Sequence, residues 1–592
     1  MSARELITDH LDLWTGAVTQ KRSGGRGNNG KIELTGIKKL RELILELAVR
    51  GKLVEQDPID EPASVLLARI AEEKARLVKE GKIKKPKKLQ EITEEGMPFE
   101  LPEGWEWARL GNISQINPRN DAADDVIASF IPMPMITTSF HGEHEQEARS
   151  WGEIKKGYTH FADGDIAIAK ITPCFENSKA AVFRSLENGI GAGTTELHVA
   201  RPYADTLNPL FILLCLKSPR FLSNGEKKMT GSAGQKRVPK DFFSGEPLPF
   251  PPLAEQNRIV EKVDELMALC DRLEQQVGDQ LEAHEVLVNT LLDALTRSAD
   301  AGEVGENWAR IAEHFDTLFT TEASIDKLKQ AILQLAVMGR LVEQDPNDEP
   351  ASMLLERIAD EKARLVKEGK IKKPKYVPRM ADADKSFDIP DAWQWVRLES
   401  LALHSEAGWS PKCHDAPREN QSWAVLKVSA VTWGEFRPEE NKELPTNLTA
   451  RPEYEVKPSD FLISRANTSE LVARSVVVPD GSPTKLMMSD KIIRFVFSKQ
   501  VEPLYLNLFN NSPFARSYYL SVAGGTSSSM KNVSRAQIQA LAVPLPPREE
   551  QMRIVQKVDE LMVLCDQLKA RLAEAGETRT QLAEAVVEQA VQ

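Results

Sequence analysis

Two short stretches of the chain hold residue types that can read nucleic acid. From Lys227 to Lys240 there are five basic residues, Lys227, Lys228, Lys236, Arg237 and Lys240, and no acid. Within them Gly231-Ser232-Ala-Gly-Gln235-Lys236-Arg237 offers backbone amides, a glutamine suited to an adenine edge, and Lys and Arg suited to guanine or phosphate. The second stretch, Gly524 to Asn532, supplies amides, the hydroxyls of Thr526, Ser527 and Ser528, and the side chains of Lys531 and Asn532. Ordinary Gly/Ser loops would look the same. Lys170 and Arg465 each close a turn and short alternating strand that begins at Asp165 or Asp460, which makes them candidates for phosphate contacts, with a surface salt bridge as the competing reading.

Catalytic signatures are missing. The chain has no GxxxxGK[ST], H-E-x-x-H, G-x-S-x-G or C-x-x-C, and no Asn-Pro-Pro-Tyr or Asp-Pro-Pro-Tyr of the kind amino-methyltransferases use. Gly189-Ile-Gly-Ala-Gly193 precedes a strand-like segment, whereas a dinucleotide loop opens a helix, so a turn between strands is expected there. We therefore expect no catalytic residue, no metal site and no cofactor on this chain.

The elements that position these loops come in two copies. Residues 37–88 match residues 325–376 at 40 of 52 positions with a constant offset of 288, and Trp105 and Trp107 fall on Trp393 and Trp395 at the same offset. From Pro251, 17 of 23 positions match the segment from Pro546, at offset 295. Each unit reads as a helical block, a Trp-x-Trp entry, a variable region and a long helix. The variable regions share only a framework: Asp165 to Lys170 against Asp460 to Arg465, strands at Glu196–Ala200 and Lys491–Phe497, then a helix near Pro209–Leu222 or Pro503–Leu520. Mixed elements of this kind imply small α/β or α+β domains.

The long helices carry apolar residues at spacings of three and four: Ile259, Val263, Leu266, Cys270, Leu273, Val277, Val288, Leu291 and Leu295, and in the copy Ile554, Val558, Leu561, Cys565, Leu568, Leu572, Leu582 and Val586. That is a coiled-coil seam, with Cys270 and Cys565 as small buried apolar residues and His284 as a tolerated polar register position. As an antiparallel pair the helices would relate the two variable regions by a pseudo-two-fold axis, along a seam of about 55 Å at 1.5 Å per residue. The Lys-rich repeats at 77–88 and 365–375 read as solvated helix ends and linkers, or as phosphate or partner contacts, and Gly24–Gly30 as a flexible loop.

The chain has 592 residues, 41% hydrophobic and 28% charged, enough apolar material for several packed domains. Its longest apolar run, Leu210–Leu216, is seven residues, against about 20 for a bilayer span. The first residues lack a secretory h-region and the five cysteines are odd in number, so a reduced, cytoplasmic setting is expected. The net charge of -12 argues against a polyanionic partner until it is located: residues 252–300 hold 4 basic against 11 acidic residues, and 548–592 hold 6 against 9. The acid excess sits on the long helices, which leaves the variable regions free to carry basic patches.

Leu101-Pro-Glu-Gly-Trp-Glu-Trp-Ala-Arg-Leu, the basic loop before Pro-Leu-Pro-Phe-Pro-Pro-Leu-Ala-Glu-Gln-Asn-Arg-Ile-Val, and Ala-Ile-Leu-Gln-Leu-Ala-Val-Met-Gly-Arg-Leu-Val together resemble the specificity subunit of type I restriction-modification systems, over nearly the whole chain. The resemblance implies an α+β architecture of two target recognition domains separated by a pair of long antiparallel helices, with extra helical blocks. The segments would be an N-terminal block at 1–100, recognition domains at 101–250 and 389–547, long helices at 251–300 and 548–592, and a second block at 301–388. It also implies a non-catalytic subunit that reads a split double-stranded DNA target and carries two methyltransferase subunits. These modify adenine with S-adenosylmethionine, and a nuclease and translocase subunit using ATP and Mg²⁺ joins to complete the complex. An architectural coiled-coil protein with two heads not specific for DNA is the alternative, and a nuclease with scattered carboxylates a more remote one.

Overall fold

The computed structural model describes residues 3–20, 32–84, 89–93, 97–203, 206–232, 234–298, 301–372, 380–432, 434–525 and 530–591. The chain divides into two compact units, Met1–Leu281 with Glu574–Gln592, and Glu282–Ala573.

In the first unit, the helix Thr35–Val49 buries Ile37, Leu40, Leu43, Ile44, Leu47 and Ala48. Arg41 pairs with Asp271 (2.5 Å) and Glu274 (2.8 Å) of the long helix Leu253–Arg297, and Gln56, beyond the end of the short helix, reaches Glu255 at 3.1 Å. The two helices therefore run antiparallel. The last part of the second long helix, Arg548–Val591, runs the other way, with Glu584 beside Lys39 (3.9 Å) and the Ala590 carbonyl accepting from Lys52 (3.3 Å).

The second unit repeats this arrangement with the helices exchanged. Along Glu322–Val337 and the turn after it, Asp326 pairs with Lys569 at 2.9 Å and Gln344 with Glu550 at 2.6 Å, again antiparallel. The end of the first long helix lies parallel, since His284 Nε2 meets the Thr317 carbonyl at 3.1 Å and Arg340 the Thr296 carbonyl at 3.4 Å. In each unit, then, the seam of the long helices is completed by a third helix from the repeated block. Ile259, Val263, Cys270, Ile554 and Val558 are all buried on it. Leu582 departs from expectation: it is 54% exposed and Ala583 takes the buried position. A helix of 3.6 residues per turn drifts about 20° per heptad against a strict seven-residue pattern, which moves the seam by one residue over this length.

Both variable regions are α+β. The first has a sheet in the order Ser114–Ile116, Leu197–Pro202, Ile166–Ala169, Ala180–Val182, all antiparallel, and a second in the order Glu147–Ser150, Ile127–Ile131, Ile190–Gly193, Thr159–Ala162, with one parallel pair. The other region matches the first sheet with Ala402–Ala407, Ile492–Phe497, Phe461–Ser464 and Ser475–Val477. Ile190–Gly193 is thus a strand and not the turn expected from its glycines: a Cβ at Gly193 would lie 2.0 Å from the Ile131 carbonyl oxygen, so glycine here allows two strands to approach. The single helices expected after the strands are each broken in two, at Ser218-Pro219 (Pro209–Lys217, Pro219–Lys228) and at Ser512-Pro513 (Pro503–Asn511, Pro513–Val522). Proline has no N–H to continue the ladder and starts the next helix at its first position.

Candidate nucleic-acid interface

Each variable region is fastened to its long helix by the same set of side chains. Trp105 Nε1 donates to Glu255 Oε2 at 2.9 Å, and Trp393 Nε1 to Glu550 Oε2 at 2.9 Å. Burial pushes both carboxyls up, opposed by the N–H donors of Trp105 and Gln56, or of Trp393 and Gln344. Arg258 pairs with Asp60 at 2.7 Å and Arg553 with Asp348 at 2.5 Å. Trp107 and Trp395 stand on short strands paired to Pro247–Phe250 and Ala542–Leu545, the segments that lead into the two Pro-Pro pairs.

On this frame the two candidate loops become hairpins at equivalent places. In the first region Thr230 and Arg237 exchange backbone hydrogen bonds of 3.0 and 2.8 Å, enclosing Gly231, Ser232, Gln235 and Lys236 in a tip whose described residues are all exposed. Gly231 has φ 126°, and a Cβ there would lie 2.9 Å from the Gln235 carbonyl oxygen, so the turn requires glycine. In the second, Gly524 and Asn532 exchange bonds of 2.9 Å each, around a tip one residue longer. Thr526, Ser527 and Ser528 lie outside the described residues.

The structure brings each hairpin to the strand-end base named beside it. The Lys170 carbonyl accepts from Val238 N (2.8 Å), and the Arg465 carbonyl from Val533 N (2.9 Å), the same pair of positions at offset 295. Ile171 bridges to Arg237 as Ala466 does to Asn532. Asp165 and Asp460 are framework: each accepts from the backbone of its own turn (Ala162 N 2.8 Å, Lys457 N 2.9 Å) and is held by an arginine, Arg201 or Arg494, at 2.8 Å.

The hairpins differ in chemistry. Lys227, Lys228, Lys236 and Lys240 are exposed and make no ion pair among the described residues, which leaves four cations around the first tip. Arg237 is already engaged: Nε and Nη2 fork onto Glu196 at 3.0 and 2.9 Å, and Nη1 reaches the Gln235 carbonyl at 3.2 Å. That fork holds the Glu196 carboxyl below its usual range. In the second region the position of Glu196 is taken by Lys491 and that of Arg237 by Asn532, which is exposed. Lys531 donates to the Gly525 carbonyl at 2.8 Å, and Arg465 is half-buried with its Nε unpartnered among the described residues. Glu196 and Lys491 were missed as site residues, although aligning the two strands by charge exposes the reversal.

Cys270 and Cys565 are buried seam residues, with burial pushing the Cys270 thiol up to about 11. At the Lys-rich repeats, Lys82 and the preceding Arg76 pair with Glu80 at 2.8 and 3.0 Å, and Lys370 and the preceding Arg364 with Glu368 at 2.8 and 4.0 Å; residues 85–88 and 373–376, and Gly24–Gly30, lie outside the described residues. Among the described residues no His/Cys/Asp/Glu group could hold a metal ion, and no helix is long and apolar enough to cross a membrane.

Residues 102–283 and 390–575 match the type I restriction modification DNA specificity domain, one match per repeat. The chain is 54% identical over 594 residues to the type I restriction enzyme EcoEI specificity subunit of Escherichia coli and 51% identical over 601 residues to the EcoAI specificity subunit of the same organism, each covering 100% of both chains. A crystal structure of the HsdS subunit from Thermoanaerobacter tengcongensis aligns over 83% of this chain and 98% of that one, at 18% identity and a TM-score of 0.44. With two specificity domains on a repeated frame and full-length relatives above half identity, the chain belongs to the family of type I restriction-modification specificity subunits.

Proposed function

We propose that this chain is the non-catalytic DNA-reading subunit of a type I restriction-modification complex. Modules 101–250 and 389–547 each read one half of a split, asymmetric duplex target through the hairpins Thr230–Arg237 and Gly524–Asn532. The carrying observation is that two hairpins of different chemistry sit at the same position of one frame, anchored at Lys170–Val238 and Arg465–Val533. A shared frame fixes how the duplex is met, and unlike side chains give unlike half-sites. In the first half, Lys170, Lys227, Lys228, Lys236 and Lys240 serve phosphates, while Gln235 and the Glu196-oriented Arg237 face base edges. In the second, Arg465 and Lys531 serve phosphates, and Thr526, Ser527, Ser528 and Asn532 supply hydrogen bonds.

The repeated blocks each carry a methyltransferase subunit, so two adenine methyltransferases act on one target, and the nuclease and translocase subunit joins through them. S-adenosylmethionine binds the methyltransferase, and ATP and Mg²⁺ the nuclease and translocase; this chain needs neither, and works in the cytoplasm where the DNA is. The test is a duplex-binding series across salt, together with a map of methylated adenines in cells with and without the gene. Sequence-specific binding that falls with salt at a slope of about 0.9 per phosphate contact, and a methylated two-part site that disappears with the gene, are expected. Salt-independent binding without sequence preference would reject the assignment.

A further inference from the structure

The two long helices begin as near copies, matching at 17 of 23 positions from Pro251 and Pro546, yet one surface on that matched part differs. In the second unit an open groove of about 890 Å³ runs between the start of helix Pro503–Asn511 and the early turns of Arg548–Val591. Leu504, Met552, Val563 and Leu564 line it and are 42%, 45%, 55% and 59% exposed. Its charged lining is acidic throughout, Glu502, Asp559 and Glu560, of which Glu560 pairs with Lys557 (3.4 Å) and Asp559 has no ion pair among the described residues.

The matching place in the first unit is closed by the chain itself. Asp264, the counterpart of Asp559, meets Nδ1 of His141 at 3.4 Å. The neighbouring Phe140 packs on the core that contains this helix, and Val260 and Met267 are buried at 7% and 2%, whereas their counterparts Val555 and Met562 are only half-buried. In the second unit Phe436 packs on a separate core cluster that holds Val456 and Val478. The helix sequence has changed with the surface: Asn257 and Ala268 in the first copy are Met552 and Val563 in the second, apolar residues placed where folding gives them nothing to cover. Exposed contiguous apolar surface with a charged rim of one sign is the mark of a protein contact.

We infer that this groove docks a protein segment presenting an aromatic or aliphatic side chain beside a basic one, the combination that Phe140 and His141 supply internally in the first unit. The inference rests on the reading that two methyltransferase subunits assemble on this chain, and it makes their sites unequal, with the stronger in the second unit. The residues substituted below, Met552, Val563 and Asp559, are all exposed, so the full-length chain should fold without their side chains.

The experiment is native mass spectrometry and calorimetry of the full-length chain titrated with the methyltransferase subunit of its own system, comparing wild type with Met552→Asn/Val563→Ala, which installs the first copy's residues, and with Asp559→Lys. Wild type should bind two subunits with separable affinities. Both variants should weaken one of them by about tenfold or more and leave the other within about twofold, with the thermal midpoint unchanged. Asn257→Met/Ala268→Val in the first copy should change neither. Two subunits bound with equal affinity, or groove variants that bind as wild type does, overturn the groove while leaving the assembly intact. A wild-type chain that binds no methyltransferase removes both readings.

Discussion

The two variable regions share a frame and part company at its edge, and the contrast separates what folding requires from what recognition requires. Trp105 lies edge-on to Phe211 at 6.2 Å and Trp393 edge-on to Tyr505 at 6.2 Å, each tied to the buried glutamate of its helix. Such contacts tolerate little change, because a buried tryptophan combines large apolar area with an N–H that must be satisfied. At the hairpin, by contrast, side chains leave the fold for solvent, and Glu196/Arg237 in one region stands against Lys491/Asn532 in the other without disturbing the strands beneath. Conformation is held by backbone pairing at Lys170–Val238 and Arg465–Val533, so the exposed positions are free to differ.

The largest effect is expected where the regions agree. Trp105→Ala and Trp393→Ala should each destabilise the protein by about 3 to 5 kcal/mol and match one another within about 1 kcal/mol, measured by denaturant unfolding. A twofold difference would show that the two anchors are not equivalent. Next comes a change where the regions differ. Lys236→Ala with Arg237→Ala should weaken recognition by about 1 to 3 kcal/mol at one half-site and lower the salt slope by about one unit, while substitutions in the other half of the DNA read as before. Unchanged binding across the salt series would remove this hairpin from the interface.

A smaller effect is expected from Glu196→Lys, which gives the first region the charge of the second. The pair is exposed and screened by solvent, so the fold should stay. Loss of an acid and release of the Arg237 fork should tighten binding at low salt and relax base preference in that half alone, as read by a mismatch panel. The smallest concerns Lys217, buried as the last residue of helix Pro209–Lys217, where the matching helix of the second region ends in Asn511, and donating to the Thr138 and Ser178 carbonyls at 3.1 and 2.9 Å. Burial pushes its ammonium down to about 7. Between that value and the ordinary lysine range the unfolded chain binds more protons, so stability must rise with pH through this window and be fully reduced below it. Lys217→Met should lose this rise between pH 7 and 10 in thermal melts, whereas Asn511→Ala, at the matching position, should keep the shape of the wild-type pH profile.

How much of this was legible in the sequence follows from the range of each interaction. The repeated frame was, because 40 of 52 identities announce a surface used twice, and the hairpins were, because glycines beside uncompensated bases mark an exposed turn. The joining of Lys170 to Val238 was not, since it spans 68 residues and depends on how strands order in the sheet. Nor was the engagement of Arg237, whose partner Glu196 lies 41 residues away. Gly189–Gly193 misled because glycine signals a turn whenever the neighbouring strand it must admit is unseen. Met552 and Val563 passed unremarked because apolar residues on a helix are assumed to face its core, and only solvent exposure shows that these do not.

The central claim is that one frame presents two different readers, each answerable for its own half of the target. It is tested most directly by replacing residues 231–236 with residues 525–531 in the full-length chain and mapping methylated adenines in cells that carry the variant and its partner subunits. The account predicts a site in which one half has changed and the other half and the spacing between them have not. A variant that still folds and methylates the original sequence, or one that alters both halves together, would contradict it.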